Sequence, residues 1–231
     1  MGSKLPDTVF VNEAVLTLLA ETEKKSVKSV CITINKACSE KDTKLAAMSA
    51  VVELATWAKE AKVFWPEPYL VTVMPNVLAL CADKQKDVQV KAEEAGKCIM
   101  SALNPVAVDA MLEMLFVQFQ EHRWQTKLAA VRLFSALAES DPKAITFNLP
   151  KVVRALMEVS QDPKPQIKET ALVALKSCVQ VIDNPDIIPV LDAVISANLN
   201  PETEGESCLD RLVATTYVNN VDKATLSVIV P

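Results

Sequence analysis

The sequence predicts an all-α fold, an α-solenoid of about six antiparallel helix pairs. Three observations carry this: the composition, an apolar period of 3.6 residues and a longer repeat of about 40. Of 231 residues, 50% are hydrophobic and 23% charged, so the chain has the means to bury a core and is not a disordered segment. Only three residues are glycine and 5% are aromatic, and β-branched residues do not alternate with polar ones over long stretches. A β-sandwich with Gly-rich turns does not fit. The surplus of Ala, Leu, Lys and Glu favours helix.

Two independent series mark the repeat. Lys44-Leu45-Ala46-Ala47, Lys91-Ala92, Lys127-Leu128-Ala129-Ala130 and Lys168-Glu169-Thr170-Ala171 place a lysine ahead of small and apolar residues, at steps of 47, 36 and 41. Pro75, Pro150, Pro189 and Pro231 mark the other half of each unit, with Leu112 where a further proline is expected, at steps of 37, 38, 39 and 42. Within a unit, Leu112, Leu115, Phe116 and Phe119 follow i, i+3, i+4, i+7, while Asp109, Glu113 and Gln120 lie opposite. The next helix carries Ala130, Leu133, Phe134 and Leu137, across the polar turn Glu121-His122-Arg123-Trp124. Another runs through Ile167, Ala171, Leu175, Cys178 and Ile182, with Pro165 in its first turn, where a missing N–H costs nothing. Two helices per 37–47 residues without a strand is the HEAT pattern, each pair burying a face on its neighbours.

The predicted register has a first pair over about residues 8–38 and a helix over 42–60 whose partner is open. Pairs over about 68–102, 105–139, 143–182 and 185–220 follow, with a further helix from 222. Trp65–Pro68 and Asn200–Glu206 are expected as breaks, and the latter's carboxylates as a solvated loop. Residues 1–3 look like an expression scar, and 4–231 read as a single HEAT-repeat domain truncated at its C-terminus.

A search for catalytic chemistry returns little. The single histidine, His122, lies in a polar turn and reads as solvated, which leaves a Ser/His/Asp constellation without support. Gly96-Lys97 resembles the end of a phosphate loop, but the position five residues before Gly96 is Lys91 and the pair sits mid-helix, so no cradle of backbone N–H groups forms. Cys31, Cys38, Cys81, Cys98, Cys178 and Cys208 lack the two- to four-residue spacing of a zinc site and read as reduced core residues. A reducing compartment, cytoplasmic or nuclear, is expected, and no apolar run is long enough to span a membrane. No catalytic, cofactor-binding or metal-binding residue is assigned.

The net charge is −5, which argues against non-specific DNA coating. The basic residues are less evenly spread than the acidic ones. Lys84, Lys86 and Lys91, then Arg123 and Lys127, then Lys164 and Lys168 fall in or just after successive turns within the repeats. Equivalent turns of a solenoid share an edge, so these residues are candidates for contact with phosphates or an acidic partner. Trp124 is either a packing anchor or an exposed contact aromatic.

Several stretches go beyond a generic HEAT pattern. Asn104-Pro105-Val106-Ala107, Trp124-Gln125-Thr126-Lys127-Leu128-Ala129-Ala130, Ile182-Asp183-Asn184-Pro185-Asp186-Ile187, Ala214-Thr215-Thr216-Tyr217-Val218 and Ala224-Thr225-Leu226-Ser227-Val228-Ile229-Val230-Pro231 resemble the N-terminal HEAT domain of fungal-type translation elongation factor 3. The likeness is collinear from about Pro105 to Pro231, and upstream it lies mainly in periodicity. A related stretch occurs in the ribosome-associated general-control coactivator. The resemblance implies a non-catalytic scaffold that docks on the ribosome, through ribosomal proteins and the rRNA backbone, and that contacts the remaining domains of its parent chain. It also implies that ATP and magnesium are handled by ATP-binding cassettes outside this sequence. A tubulin-binding TOG-type array, echoed by Trp124-Gln125-Thr126-Lys127, and a generic adaptor solenoid are the alternatives.

Overall fold

The computed structural model describes residues 4–6, 8–20 and 26–230. Residues 1–3, expected to be an expression scar, and Pro231, the last member of the proline series, lie outside the described residues. Within them the chain forms twelve α-helices and a short 3-10 turn, and its one β-bridge, Lys4 with Ser26, is isolated. The all-α prediction holds. The chain divides into two compact units, Met1–Ala136 and Leu137–Pro231.

The first unit contains α1 (Glu13–Leu19), α2 (Val27–Ala37), α3 (Lys44–Glu60), α4 (Glu67–Leu80), α5 (Lys86–Ala102), α6 (Pro105–Gln118) and the larger part of α7 (Trp124–Ser140). Alternate helices stack: α2 lies on α4 and α4 on α6, while α3 lies on α5. Antiparallel neighbours α2/α3 and α4/α5 join these two layers. Phe116 of α6 stacks on the fully buried Phe134 of α7, with ring centroids 5.8 Å apart, which builds the third pair in the same way.

This register settles the open partner of the helix over 42–60. Lys44 opens α3 as Lys86 and Lys91 belong to the start of α5, so α3 is the second helix of a repeat and α2 is its first. The predicted pairing over residues 8–38 therefore shifts by one helix, and the seven-residue α1 packs on both α2 and α3.

Local chemistry sets the helix ends. Asn104 Oδ1 accepts from Val106 N at 2.8 Å and Ala107 N at 3.0 Å, capping α6, and Pro105 takes the first helical position. The end of α3 has no glycine. Lys62 adopts φ 52°, and Val63 N bonds back to Ala58 O at 3.1 Å while Lys62 N reaches Lys59 O at 3.2 Å, a Schellman motif on a residue with a Cβ. Pro75 and Pro150 lie inside α4 and α8, where each removes one intrahelical N–H bond.

The second unit contains α8 (Pro142–Ser160), α9 (Pro165–Val179), the 3-10 turn Ile188–Val190, α10 (Leu191–Leu199), α11 (Pro201–Ala214) and α12 (Lys223–Ile229). Helices α8/α9 and α10/α11 pair, and α12 returns to pack on α8, burying Ala224 and Val228. Asn200–Glu206 is not the expected loop. Asn200 alone makes the break, at φ −136° and ψ 70°, and Pro201 opens α11 with Glu202 and Glu204 in its first turn. Carboxylates there face the positive end of the helix dipole, so an acidic segment behind a proline is a helix start. The Trp65–Pro68 break is likewise short, since α4 already begins at Glu67.

Candidate functional site

All eight candidate contact residues lie in or near intra-repeat turns. In the first unit, exposed Lys84 sits in the α4–α5 turn and exposed Lys86 opens α5. Lys91, one turn further along, is half-buried and donates to Glu94 Oε2 at 2.9 Å on the same helix, so its charge is partly spent locally. Exposed Arg123 precedes α7, and half-buried Trp124 and Lys127 occupy its first turn. In the second unit, exposed Lys164 is the N-cap residue of α9 and exposed Lys168 follows in its first turn. His122 is exposed in the α6–α7 turn, as expected.

The turns share a construction that composition alone did not reveal. Asp83 Oδ1 accepts from Gln85 N at 2.9 Å, and Asp162 Oδ1 accepts from Lys164 N at 2.9 Å. In each case an aspartate two residues ahead fixes the N-cap residue of the second helix, which is Gln85 between the exposed Lys84 and Lys86 in one turn and the exposed Lys164 itself in the other. Asp83 does more: Lys44 Nζ, from the preceding repeat, donates to its Oδ2 at 2.6 Å. The Gln85 N–H and the Lys44 ammonium hold the Asp83 carboxyl below its ordinary range. The first lysine of the repeat series is thus an inter-repeat strut. Its signal in the sequence is the 39-residue separation of Lys44 and Asp83, one repeat length.

A second strut ties α7 to α5, where Arg132 Nη1 meets Glu93 Oε1 at 2.6 Å. Beneath it lies a crevice lined by Val77, Cys81, Ala92, Gly96 and Leu133, with about 20 Å³ of free space. That accommodates about one water and no nucleotide. Gly96 explains its own presence: a Cβ there would stand 3.1 Å from Leu133 Cδ2, so glycine allows the close approach of α7. Gly96-Lys97 is helical throughout and serves packing, and the residues around it do not fit a triphosphate.

Sequence reasoning also missed Glu67, which is buried at the start of α4. Its Oε1 accepts from Asn104 N at 3.0 Å and its Oε2 from Asn104 Nδ2 at 2.6 Å, so one side chain orients the residue that caps α6. Burial raises the Glu67 carboxyl, against the lowering effect of the Asn104 N–H. The cysteines behave as core residues. Burial pushes Cys31, Cys81 and Cys178 up to about 12 and Cys38 to about 11, while Cys98 is only half-buried. Among the described residues, no group of three or more His, Cys, Asp or Glu side chains is placed to hold a metal ion. No helix among them is long and apolar enough to cross a membrane.

A family model, EF3 N-terminal HEAT repeat, matches residues 11–175. This chain belongs to the EF3 N-terminal HEAT repeat family. The match begins in the first repeat, so the upstream half carries the family pattern in sequence as well as in periodicity. Among relatives of this EF3-type chain, elongation factor 3 of Candida glabrata is 32% identical over 197 residues, covering 85% of this chain and 19% of that protein. Elongation factor 3B of Saccharomyces cerevisiae is 35% identical over 166 residues, 71% of this chain and 16% of that protein. Stalled ribosome sensor GCN1 of Homo sapiens is 32% identical over 165 residues, 71% of this chain and 6% of that protein. The EF3-type chain therefore spans less than a fifth of the length of these relatives.

Proposed function

We propose that this chain is the non-catalytic HEAT scaffold through which an elongation factor 3-type protein docks on the ribosome. The observation that carries the proposal is the shared segment itself. One set of relatives is named for elongation and another for sensing stalled ribosomes, and both match this chain over 71% or more of its length. What such proteins share through this segment is best explained as contact with the ribosome. ATP and magnesium chemistry belongs to other parts of such a protein, since nothing in the Gly96 region suits a phosphate.

The exposed cations Lys84, Lys86, Arg123, Lys164 and Lys168 support a contact with rRNA phosphates or acidic ribosomal proteins. Phosphate contacts release counterions, so binding weakens steeply with salt, by roughly 0.7 to 0.9 log units per contact and decade. Such contacts position the scaffold and carry no sequence information. Co-sedimentation with purified ribosomes, beside a microtubule pelleting control, tests the reading. The expected result is pelleting with ribosomes at low salt, reduced by the triple substitution Lys84→Glu, Lys86→Glu, Lys164→Glu. Pelleting with microtubules alone overturns it.

A further inference from the structure

Helix α8 carries a surface that neither the repeat pattern nor the family match assigns. Its buried positions are Ala144, Ile145, Leu149, Val152, Val153, Leu156, Val159 and Ser160. On the opposite side, Lys143, Phe147, Lys151, Arg154 and Glu158 are exposed. At 100° per residue these five fall within about 80° of one another, a single narrow stripe. Phe147 is 78% exposed, with a cation at i−4, i+4 and i+7. A lone exposed phenylalanine needs no explanation. One centred in a row of three cations, on a chain of net charge −5, does.

The other repeats show that the scaffold does not require it. The first helices α4 and α8 are aligned by Pro75 and Pro150. The exposed positions of α4 are Pro68, Thr72, Pro75 and Ala79, none of them charged. Those of α6 are Pro105, Val106, Asp109, Ala110, Glu113 and Val117, whose charges are all negative. Only α8, among these three helices, combines positive charge with an aromatic ring at the solvent-facing positions.

We propose that this face of α8 binds unpaired RNA, with Lys143, Lys151 and Arg154 on successive phosphates and a base stacked on the Phe147 ring. From Lys143 to Arg154 the stripe runs about 16 Å, long enough for several cations to follow one strand. The ring is 78% exposed on the helix surface, between charged neighbours. A flat base covers such a ring fully, whereas a peptide side chain would leave it half wet. Aromatic stacking flanked by cations is the arrangement that accepts single strands with little sequence preference. The proposal rests on the ribosome reading only for the source of such RNA.

Fluorescence anisotropy of the 231-residue chain with a labelled 12-nucleotide single-stranded RNA tests it. Phe147→Ala is expected to weaken binding about tenfold, at the level of one lost stack. The triple variant Lys143→Gln, Lys151→Gln, Arg154→Gln is expected to flatten the salt slope by about 2, three contacts at about 0.7 each. All these positions are exposed, so unchanged circular dichroism and melting confirm that the variants are folded. Absence of binding by the unaltered chain, equal binding by the variants, or tighter binding of an equally long polyglutamate peptide overturns the proposal. Ribosome co-sedimentation separates the two readings. If the unaltered chain pellets with ribosomes and both α8 variants bind the RNA as it does, the ribosome reading stands and the α8 site falls. If the chain binds RNA through α8 but does not pellet with ribosomes, the α8 site stands alone.

Discussion

Asp186 holds Asn219 by both backbone and side chain: its Oδ2 accepts from Asn219 N at 2.7 Å and its Oδ1 from Asn219 Nδ2 at 3.0 Å. The same Oδ2 accepts from Val218 N at 2.8 Å, and Asn184 Nδ2 donates to Asn220 O at 3.3 Å. Two stretches read in the sequence as resembling the family, Ile182–Ile187 and Ala214–Val218, both beyond the matched residues 11–175, therefore meet at one carboxylate. The segment between α11 and α12 is fixed by these bonds, since Val218, Asn219 and Asn220 are exposed and contribute little to the core.

Substituting Asp186→Ala is expected to release this segment while leaving the helices folded. The Asn219 and Val218 N–H groups hold the Asp186 carboxyl below its ordinary range. A depressed folded value means that its contribution is present above the unfolded value of about 3.9 and is lost as pH falls through the folded one. Protection of the Val218 and Asn219 amides, taken relative to their intrinsic exchange rates at each pH, is expected to fall in the variant at neutral pH and in the unaltered chain only in acid. Equal protection in variant and parent at neutral pH contradicts the assignment.

Glu67 titrates in the other sense. Its folded value is raised by burial, so the stabilisation that protonation lends is complete below the unfolded value of about 4.3 and disappears as pH rises through the folded value. The unaltered chain is expected to gain on a Glu67→Gln variant as pH drops from neutral towards 4, read as the difference between their melting temperatures. Glu67→Ala strands the Asn104 donors and is expected to cost about 1–3 kcal/mol at neutral pH by urea denaturation.

Phe134 and Arg132 lie two residues apart on α7 and differ in worth. Phe134 is fully buried between Phe116 and Phe119, and its truncation to alanine is expected to cost about 3–5 kcal/mol. The Arg132–Glu93 pair is 47% and 40% exposed, and Arg132→Ala is expected to cost no more than about 1 kcal/mol, less at high salt. Chemical denaturation at two ionic strengths checks both, and a larger loss at Arg132 than at Phe134 refutes this ordering.

Thiol labelling at neutral pH is expected to be slow and ordered. Cys98 is half-buried and reacts first; Cys178, pushed up to about 12, reacts only after unfolding. Mass spectrometry of a time course with iodoacetamide gives the order directly. Rapid labelling of Cys178 in the folded chain contradicts it.

The repeat architecture was legible in the lysine and proline series because several marks sit at equivalent places, Pro75 and Pro150 inside first helices and Lys127 and Lys168 early in second ones. Pro189 departs from this and lies in the 3-10 turn before α10. Boundaries were less legible where two signals conflict. Glu202–Glu206 has loop composition, yet Pro201 and the first-turn carboxylates start a helix. The end of α3 lacks the glycine that marks such motifs, because Lys62 takes the left-handed position itself. Lys44 reads only as a mark of the repeat, because its bond to Asp83, one repeat away, depends on lateral packing that no local window contains, whereas the partner of Lys91, Glu94, lies three residues on in the same helix.

In the first unit, the side-chain bonds Val11–Glu53, Asn35–Asn76, Lys44–Asp83, Glu67–Asn104 and Glu93–Arg132 join residues 42, 41, 39, 37 and 39 positions apart. Each fastens a repeat to its immediate neighbour. Tension applied along such a chain is carried by these fasteners in series, so the stretch yields at its weakest junction and pays out about 40 residues of slack at each step. The second unit is built differently, since α12 returns onto α8 and fastens its last helix to its first. Pulled at the ends, it behaves as a closed clasp that holds until that contact shears and then opens in one event. Under load the two units are thus expected to yield differently, the first in steps and the second in one event.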